Sequence, residues 1–146
     1  MAQQTFKLTI ATPTGWVTTD DVESLIVPGT EGYLGILADH APMMTTIGIG
    51  VLVYRDSAGY DHVFAVTQGF LEVSDNVVTI LADAAETKEQ IDLQRAKEAL
   101  KRAQERLEQA AAGDTRWDIQ RARQAYQRAL NRIQIAEGTS PELFTQ

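Results

Sequence analysis

Four arginines combine residue type and spacing in a way that could do chemistry. Arg95 and Arg102 lie seven residues apart, and Arg128 and Arg132 four apart, so on helices each pair shares one face. If the chain folds back about Gly113-Asp114, Arg95 lies opposite Arg132, and Arg128 lies near Ala99 and Arg102. All four then gather toward the open end of a helical hairpin, where the N-terminus of the first helix adds positive dipole. Asp92 and Glu98 neutralise only part of that charge. The arrangement suits an anion. The alternative is a solvated face of exposed ion pairs, each worth about 0–1 kcal/mol.

Other candidates are weaker. His40 and His62 are the only histidines, each preceded by an aspartate (Asp39, Asp61). Neighbours on a strand point to opposite faces, so neither pair is a preformed dyad. Two histidines without further clustered ligands make a poor metal site. The stretch Gly32-Tyr33-Leu34-Gly35-Ile36-Leu37 lacks the Gly-Lys-Ser/Thr ending of a phosphate loop; its glycines serve turns within a sheet. Cysteine is absent, which removes disulfides, thiol nucleophiles and cysteine-ligated zinc. The residues show no catalytic centre and no metal site.

The arginines sit on two predicted helices, Lys88–Ala112 and Arg116–Ala136, separated by Gly113-Asp114-Thr115. Leu93, Ala96, Leu100, Ala103, Leu107 and Ala110 recur at spacings of three and four, as do Ile119, Ala122, Tyr126, Ala129, Ile133 and Ala136. That alternation is a coiled-coil seam and predicts an antiparallel hairpin. Thr87 with Gln90, and Thr115 with Asp118, have capping-box spacing; Gly113 suits a left-handed C-cap. Every second seam position is Ala. A buried methyl contributes about 0.8 kcal/mol against roughly 1.5–3 for Leu or Ile, so the interface is weak for its length. Ala, Arg, Gln and Glu are also strong helix formers. Persistent helices with a marginal mutual contact describe a switch, and about 50 residues opened out would reach roughly 75 Å.

Before Thr87 the pattern is of short strands. Phe6, Leu8 and Ile10 alternate with polar residues, Val22–Val27 ends at Pro28-Gly29, and two hairpins are signalled: Val51–Arg55 with His62–Val66, and Phe70–Val73 with Val77–Leu81. The fold class is therefore α+β: an antiparallel β-sandwich over 1–86, a helical hairpin over 87–137 and a tail over 138–146. The net charge of −7 is divided unevenly. Residues 1–87 carry Lys7 and Arg55 against eleven acids, a net of −9, whereas residues 88–137 carry a net of +3. An acidic body argues against nucleic-acid binding, and the basic arm can choose between its body and an acidic partner. The N-terminus lacks the pattern of a signal peptide, and no stretch approaches the roughly 20 apolar residues of a membrane span. The expectation is a soluble, cytosolic protein.

Gly32-Tyr33-Leu34-Gly35-Ile36-Leu37-Ala38-Asp39-His40-Ala41-Pro42, Gly69-Phe70-Leu71-Glu72-Val73 and Val78-Thr79-Ile80-Leu81-Ala82, in sandwich-then-hairpin order, resemble the epsilon subunit of the bacterial F-type ATP synthase over essentially the whole chain. The resemblance implies a ten-stranded sandwich on the central stalk, packed on the gamma subunit and touching the polar loops of the c-ring. It implies a non-catalytic subunit, peripheral at the cytoplasmic face of the membrane without inserting into it. The hairpin would permit ATP hydrolysis when folded on the sandwich and inhibit when extended along gamma into the alpha/beta catalytic ring. No cofactor is required; ATP, with or without magnesium, is implied as a regulatory ligand. In ATP-binding members the motif is Ile/Leu-Asp-x-x-Arg-Ala plus two arginines four apart. Ile91, Asp92, Arg95 and Ala96 match the first, Arg128 and Arg132 the second, and Glu86 and Arg102 stand where such members have an acid and an arginine. The chain departs at Tyr33, where many members have an acid, and at Asp39, commonly Gly. The tail after Gly138 has no assigned role. The alternative reading is a stand-alone adaptor, with a hairpin that binds partner helices and a sandwich scaffold.

Overall fold

The computed structural model describes residues 4–138; the tail read beyond Gly138 lies outside the described residues. Two compact units divide between Thr87 and Lys88.

The first unit contains seven strands: β1 (Phe6–Thr12), β2 (Gly15–Gly29), β3 (Gly32–Leu37), β4 (Met43–Ile47), β5 (Gly50–Asp56), β6 (Asp61–Ser74) and β7 (Val77–Thr87). Three of them are long enough to serve two layers. The first half of β2 pairs with β1, which pairs with the start of β7; that segment pairs with the second half of β6, and this in turn with β4. The second half of β2 pairs with β3 on one edge and β5 on the other, and β5 continues to the first half of β6 and the end of β7. Counting the halves of β2, β6 and β7 separately gives the ten segments expected. The pairings are antiparallel except β1–β7, which is parallel.

Alternation builds the core. Phe6, Leu8 and Ile10 are buried from β1, and Leu71, Val73, Val78 and Ile80 meet them from β6 and β7. The sequence signals for the end of β5 and the start of β6, and for Phe70–Val73 with Val77–Leu81, both form hairpins. The two predicted segments of β6 are one continuous strand, because its ladder to β7 runs on past Gly69. At Gly69 the backbones close in: a Cβ there would overlap the Leu81 carbonyl oxygen and lie 2.8 Å from the Ala82 Cα. Only glycine fits.

The second unit begins with a 3₁₀ turn, Lys88–Gln90, followed by α1 (Leu93–Ala111) and α2 (Ile119–Ala136). Both helices start later than the sequence suggests. Thr87 closes β7, and the cap of α1 is Asp92, whose carboxylate accepts the Arg95 amide at 3.0 Å. Asp118 caps α2 through the amides of Gln120 and Arg121 at 2.8 and 3.2 Å. A carboxylate at the cap satisfies orphan amides and favours the positive helix end, so aspartate takes the position expected of threonine. Gly113, at φ 98°, ends α1 as foreseen. Its amide reaches Ala110 O and that of Asp114 reaches Gln109 O, the Schellman pair.

The alanines carry the seam. Ala96, Ala103, Ala122 and Ala129 are buried, whereas Leu93, Leu100 and Leu107 are half-buried and Ile119 is exposed. Asn131 and Ile135 are buried off the predicted stripe.

Gly69→Ala should destabilise the chain by about 1–3 kcal/mol, since the added methyl meets backbone that cannot rotate away. Urea unfolding measures it, and a loss within about 0.5 kcal/mol would show that the β6–β7 ladder yields. Ala103→Leu with Ala129→Leu overfills the seam at two positions that are each 2% exposed. The hairpin should loosen, read as faster amide exchange along α1 and α2; slower exchange would show room between the helices.

Candidate functional site

Seven of the eight candidate residues lie on the second unit, and Glu86 lies on β7 of the first. Ile91 and Ala96 are buried at the positions of a hydrophobic staple, one residue before the cap and four after it. With Asp92 between them as cap, three of the four motif residues have a plain structural job: they start α1. Arg95, the fourth, is left exposed in the first turn. Arg102 is also exposed, while Arg128 and Arg132 are half-buried on α2.

The connection of the hairpin is longer than expected. The connection spans residues 112–118 and centres on Thr115, because α2 starts only after Asp118. An ion pair from Lys97 Nζ to Glu137 Oε1 at 3.6 Å joins the open end. Arg95, Arg102 and Arg128 form no salt bridge among the described residues.

The arginine face is longer than the motif suggests. Arg106 follows Arg102 by four, and Arg121 precedes Arg128 by seven, which keeps each on the face of its neighbour. Arg106, Arg116, Trp117, Asp118, Arg121 and Arg128 line a cleft of about 340 Å³ at the closed end of the hairpin. Arg116 is bound to Asp114, Nη2 to Oδ2 at 2.7 Å. That contact holds the Asp114 carboxyl below the usual carboxylate range and raises the Arg116 guanidinium. Sequence spacing could have found Arg106 and Arg121; Trp117 carried no signal.

On the sandwich, His62 does not use the aspartate beside it. Asp61 pairs with Arg55 at 2.9 Å, and His62 Nε2 donates to Asp56 Oδ2 at 2.8 Å across the turn. The His62 ring stacks on Tyr54 with centroids 4.5 Å apart. Asp20 completes a group whose ligand-type atoms lie within 4.8 Å of one another. Sequence reasoning missed it because its members come from β2, β5 and β6. The His62 hydrogen bond, followed by the Tyr60 and Ala58 amides, lowers the Asp56 carboxyl. Burial, then the nearby Asp20 and Asp56 charges, raise the Tyr54 phenol against a lowering by Thr18.

Comparison with known proteins agrees with the architecture at both levels. Residues 5–88 match the family described as ATP synthase, Delta/Epsilon chain, beta-sandwich domain. Residues 89–137 match its long alpha-helix domain. The chain belongs to the ATP synthase epsilon chain family. The epsilon chain of Syntrophomonas wolfei is 44% identical over 108 residues, 74% of this chain and 79% of that one. That of Pelotomaculum thermopropionicum is 48% identical over 107 residues, 73% and 79% of the two chains. A chain of the Euglena gracilis mitochondrial ATP synthase shares the fold with a TM-score of 0.75 at 22% identity, over 87% of this chain and 78% of that one.

The two departures from the epsilon resemblance have structural accounts. Asp39 stands at φ 61°, the left-handed region that favours glycine, and its amide donates to Asn76 Oδ1 at 2.8 Å. Aspartate tolerates that conformation better than most residues. Tyr33 turns its hydroxyl to accept the Val51 amide at 3.2 Å. No helix among the described residues is long and apolar enough to cross a membrane.

Two outcomes follow. Asp92→Ala should cost about 1 kcal/mol of hairpin stability, and Asp92→Asn, which also caps, should retain most of it; a large loss in both, seen by thermal unfolding, would assign the carboxylate another role. A depressed folded pKa stabilises above the unfolded value, near 3.9 for aspartate, and is lost as pH falls through the folded one. The stability gap between wild type and Asp56→Asn should therefore be present at neutral pH and shrink below about pH 4. A gap independent of pH would mean that the charge of Asp56 is immaterial.

Proposed function

We propose that this epsilon chain is the regulatory, non-catalytic subunit of the central stalk of an F-type ATP synthase, with coupling and restraint of hydrolysis divided between its two units. The sandwich docks on the gamma subunit and the polar c-ring loops, so the chain is held peripherally at the cytoplasmic face of the membrane. The hairpin inhibits ATP hydrolysis when it opens along gamma toward the alpha/beta ring. The observation that carries this reading is the seam: four buried alanines between helices that are each capped on their own residues. Separating them removes no cap, so the helices survive the opening.

ATP, alone or with magnesium, is the ligand that holds the hairpin closed. Arg95 and Arg102 stand on α1 and Arg128 and Arg132, one turn apart, on α2, with Arg95 at the start of α1 where its amide binds Asp92. A polyphosphate favours the state that groups these charges. A ligand bound to one state alone stabilises it by about 2.7 kcal/mol at a hundredfold excess over Kd, enough to tip so weak a contact.

A chain ending at Thr87 should fold, join gamma and leave a previously latent synthase with higher ATPase activity. Unfolding, or unchanged hydrolysis, would contradict the division of labour. Calorimetric titration of the full chain with ATP should give saturable binding, and Arg128→Ala should weaken it by about 1–3 kcal/mol. Equal affinity in the variant, or no heat at millimolar ATP, would leave the arginines as contacts to protein partners. Co-purification without gamma would favour the adaptor.

A further inference from the structure

The cleft at the closed end of the hairpin is lined by more positive charge than the local acids neutralise. Asp114 is occupied by Arg116, which it binds through both carboxylate oxygens. Asp118 is occupied by the first amides of α2. Arg106, Arg121 and Arg128 remain, and none forms a salt bridge among the described residues. The Arg106 guanidinium lies 4.7 Å above the Trp117 ring. A second observation is independent of charge: Trp117 Nε1 is buried and meets no acceptor among the described residues. Buried donors are rarely left so.

We propose that this cleft is a site for a phosphate-class oxyanion of about pyrophosphate size, away from the Arg95 end of the hairpin although it shares Arg128 with the nucleotide site proposed above. Guanidinium forks and an indole N–H are all donors, so the complementary ligand is one made of acceptor oxygens. A carboxylate offers two and a diphosphate six or more, enough for three arginines in bidentate geometry. The cleft is also roomier than one tetrahedral anion requires. Its walls come from α1 (Arg106), the connection (Trp117) and α2 (Arg121, Arg128), so an anion bound there ties the two helices together where they turn. That gives the hairpin an input for free pyrophosphate, or for the terminal phosphates of a larger molecule, that does not need Arg95.

The test uses the full chain carrying Trp16→Phe. Trp16 is exposed and is the only other tryptophan, so Trp117 becomes the sole indole. Its fluorescence is followed during titration with sodium pyrophosphate, and separately with ATP, at constant ionic strength, with calorimetry in parallel. Pyrophosphate should give a saturable change, with Kd raised roughly tenfold in Arg121→Gln and in Arg106→Gln and unmoved in Arg95→Gln. Saturation by pyrophosphate identifies the free anion as sufficient; saturation by ATP alone, still lost in Arg121→Gln and kept in Arg95→Gln, identifies a phosphate carried on a larger molecule. The proposal is overturned if neither anion binds at millimolar concentration, if Arg121→Gln binds like its parent, or if sodium chloride of equal ionic strength reproduces the response. ATP binding that is lost in Arg95→Gln but not in Arg121→Gln would overturn this cleft while leaving the nucleotide reading of the hairpin standing.

Discussion

The contact between Gly69 and the Leu81–Ala82 backbone is the constraint on which the sandwich depends. Strand β6 changes partner there, from β5 before it to β4 after it, while its ladder to β7 continues on both sides. One unbroken pair of strands thereby belongs to both layers. The apolar residues of the two halves, Val66 and Leu71 on β6 and Ile80 and Ala82 on β7, enter a single core. A side chain at residue 69 would push the strands apart at the point where the layers are joined. Short strands alone could have made two sheets; the close approach at one glycine makes them one body.

The hairpin obeys the opposite rule. Where the sandwich buries large residues such as Leu8, Ile36 and Leu52, most of the buried helix positions are alanines, with Ile133 and Ile135 the large exceptions on α2. Small side chains let backbones approach closely but bury little area per contact. Each helix is instead completed locally, by Asp92 and Ile91 at one start, Asp118 at the other, and the Gly113 Schellman pair at the first end. Local completion makes a helix independent of its partner. The two units thus differ in what their stability requires: long-range contacts for the first, nearest neighbours along the chain for the second.

That contrast also decides what could be read from the sequence. Features with a local cause were legible: the alternation in β1, the hairpin of Phe70–Val73 with Val77–Leu81, the helical stripes and the left-handed glycine after α1. Features set by competition between neighbours were misplaced by a few residues. Thr87 and Thr115 have capping-box spacing, yet Asp92 and Asp118 take the caps, since a carboxylate gains from the helix dipole as well as from the amides. That shift lengthens the connection between the helices to residues 112–118. Features made by strands distant in sequence were not legible at all. Nothing in the order of residues announces that Asp20, Asp56 and His62 converge, or that the aspartate preceding His62 serves Arg55 instead.

The arginine ladder follows from the same economy. Arg95, Arg102 and Arg106 repeat at seven and four on α1, and Arg121, Arg128 and Arg132 at seven and four on α2. Each ladder concentrates positive charge on its own helix, and like charges brought to close range oppose packing. A leucine seam would overwhelm that repulsion, whereas an alanine seam leaves it comparable to the attraction. The small residues that permit close approach also keep the apolar gain per contact low, so electrostatics count for more than in a leucine seam. Anything that screens or bridges the ladders then acts on the equilibrium with little opposing it. The motif's own aspartate does not do so, because Asp92 is spent on the Arg95 amide, and the two acids at the turn are spent likewise. Arg102, Arg106, Arg121 and Arg128 form no salt bridge among the described residues, so groups from outside the hairpin can act on them.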